Sequence, residues 1–374
     1  MGAQRKVPAC VTRKKDGNSD PPWGILRTLV TGGTFPMTDS FLKTHLKRLV
    51  RAVLPGLPRR EPLTLQAALP WLLPKVRPRF LYEALSLHTG QAGPVFQPLA
   101  GVFAVSLVVD LPDQEVDVGP ALLAEWNVDF DRLLLKARSN LLARGGEEGF
   151  AEMGAGRYRS LWEDNLDGSR LLLPGILQRL KLRGDPVVVL PNRDALLVVG
   201  SEDPAALRWA LEGAMEFMDG DPGSLNGCPL RLSHFQWEPF HVRRENPVCP
   251  LLARLEQRRI MEDYARQKAL LDRCHGAAGR TITVAPLALE AVPPGAPAES
   301  YTFWSHGMGE AWLPVADRLR LDWVLGGERG RVSVPWERVQ ARLSPLLEPV
   351  GLFPERYRFK EPPPPGLLES LLAT

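Results

Sequence analysis

Two apolar runs facing each other across a four-residue polar turn constrain this chain more than any other feature. Pro186–Leu190 and Ala195–Gly200 are almost entirely Val, Leu and Ala, and Pro191-Asn192-Arg193-Asp194 separates them. Short runs of this composition, bounded by turn residues, read as strands, and the length of the turn predicts a hairpin. Runs this apolar must be buried. Just upstream lies Trp162-Glu163-Asp164-Asn165-Leu166-Asp167-Gly168-Ser169-Arg170-Leu171-Leu172-Leu173. This polar cluster reads as the opening of a helix over 168–182. Charged residues thus stand in an ordered pattern between elements that need a core.

The other elements follow from periodicity and punctuation. Leu42, Leu46, Leu49, Val50 and Val53 share one face of an amphipathic helix over 39–54, capped by Asp39 or Ser40, with Lys43, Lys47, Arg48 and Arg51 opposite. A Pro-interrupted helical stretch is expected over 61–90. Residues 101–110 alternate and are β-rich, with a turn at 112–114 and a returning strand at 115–118. Pro120 starts a short helix to Trp126. Asp129 is expected to cap a second, in which Phe130, Leu134, Ala137 and Leu141 share a face, ended by Gly145-Gly146. Asp203 caps a helix with Pro204 at its first position, and a strand follows at 230–235. Residues 250–273 read as one long charged helix whose apolar residues scatter round the wheel, as suits a helix bridging two domains. Short strands are then expected at 281–286, 301–305, 319–325 and 331–334, and a helix at 336–347.

The fold class expected is α+β: a central mixed or antiparallel sheet flanked by helices, with a smaller C-terminal α+β module. The divisions are 1–36, 37–245 (the main domain), 246–279 (the bridging helix), 280–361 (the second module) and 362–374 (a Pro-rich tail). Residues 1–36 carry a local charge of +4, which leaves −1 for 37–374 out of the overall +3. They lack an apolar core segment and a small-residue cleavage site, so they do not read as a signal peptide. The favoured reading starts translation at Met37; the alternative is a disordered basic tail. A near-neutral body has no basic field of the kind phosphate-backbone binding uses, so nucleic acid is not an expected partner.

Three segments in order carry a family resemblance: Trp126 with Ala137-Arg138-Ser139-Asn140-Leu141, then Asp164–Leu172, then Pro191–Asp194. Over residues 100–239 the chain resembles the bacterial family known as domain of unknown function 1444 (DUF1444), with YtpQ-like members. Asn165 and Leu166 stand where that family has a glycine and an aromatic. The resemblance implies an α+β fold and a cytoplasmic bacterial protein, and no activity.

The candidate site residues are Asp164, Asp167, Ser169, Arg170 and Asp194. At a helix start, acidic and hydroxyl groups cap free N–H groups and meet the positive end of the dipole. Arg170 is expected to pair with Asp167 or Asp194. The favoured reading is a structural cap; the alternative is a polar pocket for acid–base chemistry, which needs carboxylates with separated pKa values. Thr31-Gly32-Gly33-Thr34-Phe35 lacks the third glycine and the acidic residue of a dinucleotide site. His45, His88, His234, His241, His275 and His306 show no metal-ligand spacing, the four cysteines form no C-x-x-C pair, and Cys274-His275 are adjacent, hence turned apart on a helix. No cofactor and no metal are therefore expected. The expected function is that of a non-enzymatic, cytoplasmic interaction or regulatory protein with a protein partner. The alternatives are a hydrolase or transferase using the Asp/Arg cluster, and a membrane-peripheral adaptor in weak surface contact through the 39–54 helix.

Overall fold

The computed structural model describes residues 63–372, apart from 90–92, 113, 146–148, 163, 221–224, 226, 291–297 and 362. The 1–36 segment, its glycine pair, the 39–54 helix and the Val292–Pro297 loop lie outside the described residues. The protein is α+β, with antiparallel and mixed sheets and packed helices.

The first surprise against the sequence is at 61–90. A short helix α1 (Leu65–Ala68) leads through a 3-10 turn into a strand, β1 (Leu72–Pro78), and only then into helix α2 (Arg79–Thr89). Three prolines disguise the strand: Pro70, Pro74 and Pro78. They are tolerated because β1 is an edge strand among the described residues, where it pairs with β3 only. The first sheet is antiparallel. In it β3 (Phe103–Leu111) is flanked by β1 and β2 (Phe96–Leu99), and it also pairs with β4 (Gln114–Asp117). Helices α3 (Pro120–Trp126) and α4 (Phe130–Arg144) cover it: Trp126, Phe130, Leu133 and Ala137 pack on Leu72, Leu107 and Val109.

The second sheet has six antiparallel strands in the order β10-β9-β7-β8-β6-β5. They span β5 (Phe150–Gly154), β6 (Arg157–Ser160), β7 (Pro186–Asn192), β8 (Ala195–Gly200), β9 (Pro229–Ser233) and β10 (Gln236–Pro239). The apolar hairpin β7–β8 takes the two middle positions, where both faces of each strand are buried. A side chain on Gly200 would collide with the Arg183 backbone, so the hairpin's last position needs glycine. Val188, Leu190, Leu196 and Val198 share one core with Val76, Phe103 and Val105 of the first sheet. Helix α5 (Pro204–Gly220) lies on β7 and β8. Asp203 caps it as expected, Oδ1 accepting from Ala205 N at 3.1 Å and Ala206 N at 3.0 Å.

Helix α6 (Cys249–Ala277) runs past α2 and α5 to the C-terminal strands. Its buried stripe contains Leu255, Arg259, Asp263, Gln267, Leu271 and Cys274. The helix therefore has a periodic inner face, but half of it is polar, which is why its apolar residues scatter. Two small four-stranded sheets follow. One holds β11 (Thr283–Val284), β14 (Ala311–Pro314), β18 (Arg356–Phe359) and β17 (Leu347–Pro349). The other holds β12 (Ala288–Leu289), β13 (Ser300–Ser305), β15 (Arg318–Leu325) and β16 (Glu328–Pro335). Trp304, Leu319, Leu321 and Phe359 fill the space between them with helix α7 (Trp336–Leu343). The Pro-rich end also differs from expectation: Pro365–Leu372 is a helix, α8, with Leu368 and Leu371 buried in that core. Pro365, at the first helical position, starts this helix. Among the described residues no helix is long and apolar enough to cross a membrane.

Candidate functional site

The polar cluster does not open an α-helix. Asp167–Leu172 and Pro174–Arg179 are two successive 3-10 helices, broken at Leu173. A residue before proline is driven out of the helical region, and Leu173 sits at φ −120°, ψ 59°. No side chain caps the first of these helices. The cluster's carboxylates do other work. Asp194 Oδ1 accepts from Asn165 N at 2.8 Å, so the hairpin turn holds the chain where Asn165 turns with φ +64°. Asp164 Oδ1 accepts from Leu166 N at 3.0 Å.

Arg170 pairs with Asp164, not with Asp167 or Asp194. The pair is forked: Nη1 donates to Oδ1 at 2.8 Å and Nη2 to Oδ2 at 3.0 Å. The Arg170 side chain is 1% exposed and that of Asp164 is 22% exposed. The guanidinium lies 4.1 Å from the centre of the Trp162 ring. Trp162 in turn donates from Nε1 to Gly145 O at 3.0 Å and meets the Phe150 ring edge-on at 5.2 Å. Asp164, Arg170, Trp162 and Phe150 thus form one chain of contacts reaching the end of α4.

Phe150, Trp162 and Arg170 border a groove of about 680 Å³. Leu142, Phe150, Trp162 and Ile176 form apolar walls, and Arg138, Arg170 and Arg179 are its charged groups. No carboxylate lines it among the described residues. A smaller hollow of about 500 Å³, by Trp71, has its polar groups engaged: Asn140 donates to Leu69 O and Leu72 O, and Arg144 pairs with Asp110.

Asp167 and Ser169 face the interior. Ser169 Oγ accepts from Val76 N at 3.2 Å, tying the 3-10 segment to β1. Asp167 is fully buried; the Ser160 hydroxyl faces it, but neither carboxylate oxygen has a well-formed hydrogen bond. Burial pushes its carboxyl above the usual range, against the opposing pull of Ser160 and the Arg170 charge. For Asp164, burial also acts upward, but the Arg170 hydrogen bonds and charge outweigh it and hold the carboxyl below the usual range. The two pKa values move apart as acid–base chemistry requires. Asp167 is sealed from solvent, and Asp164 is held in its fork with Arg170.

Because its folded pKa is raised, ionised Asp167 subtracts stability above that pKa, and the penalty fades as pH falls toward the unfolded value. Asp167→Asn is therefore expected to stabilise the protein at neutral pH by about 1 kcal/mol, with the gain shrinking in acid. Melting curves across pH test this, and a destabilised variant at pH 7 would refute it.

Of the five expected residues, only Arg170 lines the groove. Sequence reasoning missed Arg138, Leu142, Phe150, Ile176 and Arg179 as site residues. One signal was present: Leu142 is apolar, yet it falls off the α4 face carrying Phe130, Ala137 and Leu141. Elsewhere, burial raises the Cys274 thiol and lowers His275, whose ring packs edge-on against Trp312 at 4.6 Å. Such a pair is not an activated thiolate. Among the described residues no three His, Cys, Asp or Glu side chains gather as metal ligands. Trp304, Trp312 and Trp336 are core residues. Comparison of the chain with protein families, with curated proteins and with solved structures finds no match.

Proposed function

We propose that this protein works by binding, as a non-enzymatic interaction or regulatory protein of the cytoplasm whose recognition surface is the groove between α4 and the 3-10 segment. One observation carries the reading. Leu142, 58% exposed, stands beside Phe150 and Trp162 in a concave, partly cationic surface. Single exposed apolar residues mean little, but apolar residues grouped in a hollow with a few polar groups mark a binding site. A hydrolase or transferase built on Asp164, Asp167, Arg170 and Asp194 needs those groups to converge on a cleft, and of the four only Arg170 lines this one.

Leu142→Asp places a charge in the groove at an exposed helical position, where substitutions change stability by about 0.5 kcal/mol or less. Peptides selected from a random display library against the full chain are expected to lose at least about tenfold in affinity for this folded variant. Selected binders indifferent to Leu142→Asp, or no binders at all, would refute the proposal.

A further inference from the structure

We infer that Asp167 is a proton-operated latch on the 3-10 segment that walls the groove: neutral, it lets Asp167–Leu172 seat in the core, and ionised, it drives that segment to open. The latch acts whatever the groove binds, and its test uses no ligand.

Placement is the first support. Asp167 has no exposed surface, and neither carboxylate oxygen has a well-formed hydrogen bond among the described residues. A side chain on the adjacent Gly168 would meet Leu190 and Leu225, and Leu171 lies in the same apolar core. An ionised carboxylate there lacks the donors that would replace its water. The Ser160 hydroxyl on β6 and the Arg170 charge favour ionisation, and the Asp164 and Asp194 charges oppose it. Ser160 and Arg170 are both engaged elsewhere: Ser160 Oγ accepts from Leu196 N at 2.9 Å, and Arg170 is forked to Asp164. The two strands packed on the segment are β1 and β8. No residue of β8 is titratable. On β1, Lys75 pairs with Glu115, and Arg77 donates to Val76 O at 2.8 Å.

The segment is also built to open locally. Its 3-10 turns have poorer hydrogen-bond geometry than an α-helix. Ser169 N donates to Leu166 O at 2.8 Å and Leu173 N to Arg170 O at 2.9 Å. Its ties to the sheets are Val76 N to Ser169 Oγ at 3.2 Å and Trp237 Nε1 to Leu171 O at 2.7 Å. Opening rehydrates Asp167 and takes Arg170 and Leu173 out of the groove wall. Since burial raises the carboxyl pKa, the closed segment holds the proton more tightly than the open one. Closure is therefore firmest below the unfolded value of about 3.9, weakens as pH rises to the folded value, and is constant above it. Asp164, whose pKa is depressed, titrates below that window.

Amide hydrogen exchange of the full chain, read residue by residue between about pH 4 and pH 8, tests the latch. Rates are expressed as protection, so that the base catalysis of exchange itself cancels. Val76, Ser169 and Leu173 are expected to be less protected than Val188 and Val198 of the buried hairpin, because they exchange without global unfolding. Their protection should fall with rising pH, about tenfold for each unit by which the folded pKa exceeds the unfolded one. In Asp167→Asn the fall should vanish. The wild-type profile is decisive without the variant: protection at the three amides that does not change with pH, or that equals that of Val188 and Val198 throughout, overturns the latch. The same fall in Asp167→Asn assigns the titration to another group and overturns it too.

Discussion

Replacing Arg356 with Ala is expected to destabilise the protein by about 3–5 kcal/mol, the range seen when one member of a buried charged network is removed. Arg356 sits on β18 with no exposed surface. Its Nε donates to Gln267 Oε1 at 2.5 Å. Its Nη1 donates to Ala285 O at 2.8 Å and Trp312 O at 3.0 Å, and its Nη2 to Tyr264 O at 3.3 Å. The guanidinium also faces the Tyr264 ring at 5.1 Å. One side chain therefore ties α6 to the strands carrying Trp312 and Phe359. Burial lowers its pKa to about 10, which leaves it charged at neutral pH. Alanine would leave a void and strand several buried acceptors, each costing about 1–3 kcal/mol. Arg356→Lys keeps the charge but has no planar fork to serve four acceptors on different segments. It should therefore fall between wild type and alanine. Urea unfolding followed by tryptophan fluorescence gives the order, and an alanine variant within 1 kcal/mol of wild type would show that the network contributes little.

Arg170→Ala is expected to cost about 3 kcal/mol, less than Arg356→Ala because the stranded partner is different. Asp164 keeps some contact with water, so its carboxylate can be rehydrated once the guanidinium is gone. The remaining loss is the void beside Trp162, the cation–π contact and the forked pair. The loss should depend on pH with a definite sign. The folded pKa of Asp164 is depressed, so its pairing stabilises the protein above the unfolded carboxyl pKa of about 3.9. That contribution disappears as pH falls through the depressed folded value. The gap in melting temperature between wild type and Arg170→Ala should therefore be widest near neutral pH and narrow in acid. A variant as stable as wild type, with altered peptide binding, would make Arg170 a ligand contact rather than a structural anchor.

The elements read correctly from the sequence are those whose reasons are local. The β7–β8 hairpin needs only two apolar runs and a turn, and the start of α5 needs only Asp203 before Pro204. The strand at 72–78 was hidden because its prolines argue against a strand, and only its edge position makes them harmless. The helix expected at 168–182 fails for a reason that was in the sequence: Pro174 breaks the run after three leucines, and two 3-10 helices result. The site was less legible. Asp164, Arg170 and Asp194 do act together in holding one local structure, but the pairing was misassigned, and the groove residues come from separate segments between Arg138 and Leu180.

Polar periodicity explains the long helix as well. Arg259, Asp263 and Gln267 recur every four residues on the buried face of α6, where Arg259 Nη1 meets Asp263 at 2.9 Å and Gln267 meets Arg356. A hydrophobicity pattern cannot show such a face, because its polar side chains are buried by partners, within the helix for Arg259 and Asp263 and from β18 for Gln267. By itself, the sequence determined the α+β class, the buried hairpin and the helix capped by Asp203, since propensity, capping and apolar periodicity act between residues close in the chain, whereas Asp129, another expected cap, makes no side-chain hydrogen bond at the start of α4. Only the tertiary structure decided which carboxylate Arg170 would hold, which polar residues could be buried, and that Leu142, Phe150 and Trp162 would border a groove. Ion pairing and exposure depend on distances between surfaces that meet only after the sheets and helices have packed.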